Sequence, residues 1–185
     1  QQDDDIPDYK LNIQTQKDEV RNNYTYAAST TLFDFLKEQL QMKSVSGIIK
    51  KLAEYVIGNI DQDGYLRRDV ESMVDDFSFQ SGEIVEDDKM KAALKLIQSF
   101  DPSGVGASSL QECLLIQLKR KNATPEILNA RRIVEICFDE FSRKHYDKIE
   151  RKLELSKDAI RLAIEEIVKL NPKPGSEWES DFTMN

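Results

Sequence analysis

The chain has 185 residues, of which 39% are hydrophobic and 32% charged, and its formal net charge is −8. That length can bury a substantial core in one domain or two small ones, and the acidic balance argues against phosphate-backbone binding as the main task. The longest apolar run is far short of the roughly 18 residues that cross a bilayer, and no charged-apolar-small leader opens the sequence, so no membrane partner is expected.

Residues 1–28 open with Asp3-Asp4-Asp5 and stay polar without a sustained period, which reads as an acidic, solvated linker. Thr31 with Asp34 three residues on imitates a capping box, and Leu32, Phe33, Leu36 and Leu40 give a first helix its apolar side. Ser46 starts a second helix striped by Ile49, Leu52, Ala53, Val56, Ile57 and Ile60. After a turn at Asp63-Gly64, Val70, Met73, Val74 and Phe77 mark a short third helix, followed by a loop at 79–82. Met90, Leu94 and Ile97 carry a fourth helix into a sharp corner at residues 100–107. There Pro102 biases Asp101 away from helical geometry, and Gly104 and Gly106 admit angles closed to other residues.

Ser108 or Ser109 then caps a fifth helix over 110–121, whose Leu110, Cys113, Leu114, Gln117 and Leu118 make one face interrupted by an amide. Thr124-Pro125-Glu126 starts a sixth helix, because proline at the first helical position loses no hydrogen bond; Ile133, Val134, Cys137, Phe138 and Phe141 continue it. A shorter helix surrounds Ile149 and Leu153. Ser156 caps the last one, with Ile160, Ala163, Ile164, Ile167 and Val168 inward, and Asn171-Pro-Lys-Pro-Gly175 ends it. No alternating strand pattern of any length occurs. The expected fold is all-α, about eight helices in two subdomains: 29–121, then 122–175 beyond a soft boundary at 122–127, with a frayed tail at 176–185.

Several patterns imitate chemistry. Asn59, Asp61, Asp63 and Gly64 fall at calcium-loop spacing, but the twelfth position, which needs a bidentate glutamate, is Val70; the residues are read as a helix end and turn. Residues 144–168 resemble a helix-turn-helix, so a DNA-binding domain acting through 143–169 is the alternative reading. Against it, Glu165 and Glu166 on the second helix would repel phosphates. Arg131, Arg132, Arg143, Lys144, Arg151 and Lys152 are the candidate contacts for nucleic acid or an acidic partner, within a stretch, 119–161, holding 12 basic and 8 acidic residues. Cys113 and Cys137 are too few, with one histidine, for a disulfide framework or zinc site, and read as core residues in a reducing, cytoplasmic setting. Neighbouring carboxylates such as Asp75-Asp76, Asp87-Asp88 and Glu165-Glu166 point apart on a helix. Without a phosphate loop, nucleophile elbow or metal cluster, neither an enzyme nor a cofactor is expected.

Five motifs occur in order: Leu36-Lys-Glu-Gln-Leu40, Ile60-Asp-Gln-Asp-Gly-Tyr-Leu66, Ile97-Gln-Ser-Phe-Asp-Pro-Ser-Gly-Val-Gly-Ala107, Leu110-Gln-Glu-Cys-Leu-Leu-Ile-Gln-Leu118 and Leu170-Asn-Pro-Lys-Pro-Gly175. Together they resemble the core-binding domain of the RpoN-type, enhancer-dependent (sigma-54) sigma factors, over about residues 32–175. Ser108 departs from the resemblance, standing where many members carry a basic residue. The resemblance implies a bacterial, nucleoid-associated transcription factor whose partner is core RNA polymerase. It further implies that promoter DNA and the AAA+ activator are met by segments outside this chain, which, opening on glutamine, is expected to be a fragment. The turn residues Asp61, Asp63, Gly64, Tyr65, Phe100, Asp101, Pro102, Gly104, Val105 and Gly106 are expected first to fix the angles between helices, and second to be candidate polymerase contacts.

Overall fold

Side-chain caps mark where most of the helices begin. The computed structural model describes residues 31–178 and contains nine α-helices there: α1 Leu32–Gln41, α2 Gly47–Gly58, α3 Val70–Ser81, α4 Asp87–Gln98, α5 Leu110–Arg120, α6 Pro125–Ile136, α7 Phe138–Ser142, α8 Tyr146–Leu153 and α9 Lys157–Val168. Thr31 and Asp34 form a full capping box at α1. Asp69, Ser109, Thr124 and Ser156 accept hydrogen bonds from Ser72, Glu112, Ile127 and Ala159 N–H at the starts of α3, α5, α6 and α9. Each such cap contributes on the order of 1 kcal/mol and fixes where its helix begins. Among the described residues the extended pairings are two isolated bridges, Ile60 with Leu66 and Tyr65 with Ala107. The fold is all-α, and no described helix is long and apolar enough to cross a membrane. The acidic stretch at 1–28 and residues 179–185 lie outside the described residues.

Two apolar clusters hold the helices. The first unites α1 to α4 around Leu36, Leu52, Val56, Met73, Met90 and Ile97, with Phe100 and Val105 entering from the corner after α4. The second gathers Ile133, Val134, Ile149, Ala163 and Ile167 from α6, α8 and α9. Helix α5, which composition places with the N-terminal helices, packs Leu114 and Leu118 into this second cluster. Both cysteines are free and buried, Cys137 in the second cluster and Cys113 in a small third one beside Tyr65 and Ala107.

Four local expectations are corrected. Helix α3 runs through 79–81, where a loop was expected, and stops at Gly82, which is left-handed (φ 71°) and donates its N–H to Ser78 O. Phe79 is 92% exposed, so it gave no burial signal from which to extend the helix. The sixth helix does not continue to Phe141: Cys137 leaves helical angles (φ −124°, ψ 31°), and Lys152 Nζ donates to Ile136 O at the break. Val168 is 72% exposed, because α9 turns Ile160, Ala163 and Ile167 inward and leaves Ile164 and Val168 on the adjoining row. Residues 176–178 form a 3₁₀ turn, and Trp178 packs on Phe35 with ring centroids 5.1 Å apart.

Candidate interhelix junction and partner surface

Segments far apart in the chain close on one another in a junction between the two clusters. Asp61 builds the first turn: its backbone N–H donates to Tyr65 O and its carboxylate accepts from Tyr65 N, both at 2.8 Å. This turn docks on the corner after α4 through Gly106 N to Gly64 O and Leu66 N to Ala107 O, both 2.9 Å. Gly104 is left-handed at φ 98°, and a Cβ there would lie 2.7 Å from Cys113 Sγ and 2.9 Å from Gln117 Nε2, so the corner rests directly on α5.

The corner is also gripped from outside. Gln39 of α1 pairs with the Asp101 backbone, accepting from its N–H at 2.9 Å and donating to its carbonyl at 2.7 Å. Arg120 of α5 donates to Phe100 O at 2.8 Å and to the Asp101 carboxylate at 2.7 Å. The Asp101–Pro102 bond is cis. Gln98 Nε2 bridges Gly106 O and Glu112. Glu112 in turn accepts from the backbone and hydroxyl of Ser108, so Ser108 spends its side chain inside the chain.

A strap returning from α9 completes the junction. Gln117, the one polar side chain in the buried class among the described residues, donates to Asn171 O at 2.6 Å and accepts from Asn171 N at 2.9 Å. Tyr65 Oη donates to Pro172 O at 2.5 Å, Gly175 N to Asp63 O at 2.9 Å, and Lys173 pairs with Asp63 at 3.3 Å. A Cβ on Gly175 would collide with the backbone of Gln62 and Asp63, so only glycine lets the strap lie this close. Burial, then the neighbouring Cys113 thiol, pushes the Tyr65 phenol well above its ordinary pKa; burial also raises Cys113.

All five sequence motifs therefore meet here, the first through Gln39, the fourth through Cys113 and Gln117. The residues that sequence reasoning missed are the clamps Gln39, Arg120, Gln117 and Asn171. The apolar face of α5 carried one visible signal, the amide at Gln117, a polar group set to be buried and hence in need of a partner.

The basic candidates are engaged to different degrees. Arg131 donates to Leu118 O (2.8 Å) and Lys121 O, and Arg132 to Leu153 O. Lys152 donates to Ile136 O and pairs with Glu140, all inside the second helical cluster. Arg151 reaches only the Asp147 carbonyl of its own helix, and Arg143 and Lys144 are exposed, Lys144 in left-handed geometry at φ 59°. Helices α8 and α9 do form a helix-turn-helix, turning through left-handed Glu154 to the Ser156 cap. Arg161 of α9 pairs with Glu165 at 2.9 Å, and Lys169 at its C-terminal cap pairs with Glu166 at 2.6 Å, so two of the cations there are neutralised locally. That arrangement does not favour the DNA-binding alternative.

The chain matches the family model described as "Sigma-54 factor, core binding domain" over residues 22–184. It is 35% identical over 155 residues to the RNA polymerase sigma-54 factor of Pseudomonas putida, covering 83% of this chain and 31% of that protein. With that of Acidithiobacillus ferridurans it shares 33% over 183 residues, 98% of this chain and 34% of that one. With that of Escherichia coli it shares 31% over 158 residues, 85% and 32%. The chain thus spans about a third of the length of the curated relatives it matches. From the motifs gathered at the junction and the match across nearly all of its length, the chain belongs to the sigma-54 factor core binding domain family.

Proposed function

We propose that this chain is a docking module for core RNA polymerase, acting by binding and not by catalysis in bacterial, cytoplasmic transcription initiation. The observation that carries the reading is the family match across residues 22–184, whose description names core binding. What supports it physically is the junction: two apolar clusters tied by reciprocal side-chain clamps present a pre-shaped surface, which lowers the ordering cost of association. In this reading the residues of the two turns hold helix angles. Partner contacts fall to exposed side chains, among them Arg143, Lys144 and Arg151, while acidic surface steers the approach to basic polymerase faces. Promoter elements and the AAA+ activator are met by other parts of the longer proteins.

The test is a titration of the purified, folded chain against core polymerase lacking any sigma, at moderate salt. Saturable one-to-one binding is expected. Folded chain that leaves polymerase unbound while binding promoter duplex with a steep salt slope would return the assignment to the DNA-binding alternative.

A further inference from the structure

Helices α8 and α9 leave an open groove of roughly 710 Å³ between them. Its floor is Ile160, only 3% exposed, and along α9 the row continues through Ile164 to Val168, 72% exposed; Tyr146, 39% exposed, stands on the α8 side. Residues 160, 164 and 168 are spaced by four, so this ridge is about 12 Å long at 1.5 Å rise per residue. Val168 and Tyr146 leave apolar surface in water at the edges of this floor, and clustered exposure of this kind marks an interaction site more than scattered exposure does.

The charges around it are asymmetric. On the α8 wall Asp147 and Glu150, three residues apart and on one face, have no ion-pair partner among the described residues. On the α9 wall Arg161 is occupied by Glu165 at 2.9 Å and Lys169 by Glu166 at 2.6 Å, while Lys157, which also lines the groove, has no ion-pair partner among the described residues. The unpaired charge facing the groove is therefore acidic by two to one, with both carboxylates on the α8 wall. A groove of this length, apolar along its floor and acidic on one rim, fits a helix with apolar side chains on successive turns and lysine or arginine along one flank.

Building on the docking function above, we propose that the α8/α9 groove receives an amphipathic, basic-flanked helix displayed by core polymerase. The partner's apolar side chains seat along Ile160, Ile164 and Val168, and its cations face Asp147 and Glu150. Val168, exposed until it is covered, is the anchor whose truncation or charging removes the most binding energy.

The test compares the chain with three variants in titrations against core polymerase: Val168→Glu, the double change Asp147→Lys with Glu150→Lys, and Ile84→Glu. Ile84 is 96% exposed and distant from the groove in sequence, which makes it the control for loss of any surface hydrophobe. Val168→Glu is expected to weaken binding about tenfold or more with its melting temperature unchanged, while Ile84→Glu stays within about twofold. The double variant is expected to slow association at low salt, with the deficit shrinking as salt rises. Wild-type binding that Val168→Glu leaves intact, or that Ile84→Glu weakens equally, overturns the groove assignment and leaves the docking function standing. No wild-type binding removes the docking function itself. Sedimentation of the free chain supplies the remaining outcome: self-association abolished by Val168→Glu would make the groove a contact between two copies and overturn the polymerase helix.

Discussion

The side-chain amide of Gln117 holds the backbone of Asn171 at both ends, donating to its carbonyl at 2.6 Å and accepting from its N–H at 2.9 Å. One side chain of α5 thereby satisfies two backbone groups of the strap, 54 residues away. Replacing Gln117 with leucine keeps the volume but leaves both groups unpaired beside apolar neighbours. The expected loss is about 1–3 kcal/mol, read as a lower urea midpoint with unchanged m-value. Glutamate at the same position keeps the acceptor but sets a carboxylate oxygen against the Asn171 carbonyl, and is expected to fall below leucine.

Gly104 and Gly82 are both left-handed, at φ 98° and 71°, yet their surroundings differ. A Cβ at Gly82 meets nothing within 4 Å, whereas at Gly104 it meets Cys113 and Gln117 at 2.7 and 2.9 Å. Gly82→Ala is expected to show the conformational cost alone, about 1–2 kcal/mol. Gly104→Ala adds the collision with α5, and Gly104→Val is expected to damage folding as well as polymerase binding. Thermal melts beside binding titrations separate the cases. Normal melting with lost binding would make the corner a direct contact.

The local signals are legible in the sequence for a physical reason. Thr31 with Asp34, Ser156 before α9 and Pro125 at the first turn of α6 act within four residues of themselves, so each is visible without knowing the fold. The same holds for the turns at Gly64 and Gly104. What stayed hidden is pairing at a distance: Gln39 with Asp101, Arg120 with Phe100, Gln117 with Asn171, contacts that exist only once the clusters have packed. Periodicity also misplaced Val168, since the five apolar residues of α9 assigned inward exceed what one buried face holds, and spacing alone does not say which row is left outside.

The calcium-like spacing at residues 59–64 is spent on the fold. Asp61 accepts from Tyr65 N at 2.8 Å and from Arg67 Nε at 3.2 Å, and Asp63 pairs with Lys173 at 3.3 Å. The twelfth position is Val70, the first residue of α3. A cation would have to displace these partners and would still lack its bidentate glutamate. Millimolar calcium is therefore expected to leave the melting temperature in place; a rise of several degrees would show that the turn opens to bind it.

Tyr65→Phe tests the strap through pH. The phenol donates to Pro172 O at 2.5 Å, and burial raises its pKa above the ordinary value of 10.0, so in the folded chain it stays protonated where the unfolded chain ionises. The stabilisation from this group is thus fully present below pH 10.0 and is lost as pH rises above it toward the folded value. At pH 8 the phenylalanine variant is expected to be less stable by about 1 kcal/mol, the net worth of one hydrogen bond. Between pH 10 and 11 the wild-type advantage is expected to shrink, because only wild type carries the penalty of keeping this phenol neutral. Urea midpoints of both proteins, taken every half unit from pH 8 to 11, make the comparison, and the other tyrosines cancel in the difference. Parallel curves across that range would mean that Tyr65 reaches solvent when folded and that the strap is held by Gln117 and Gly175 without it.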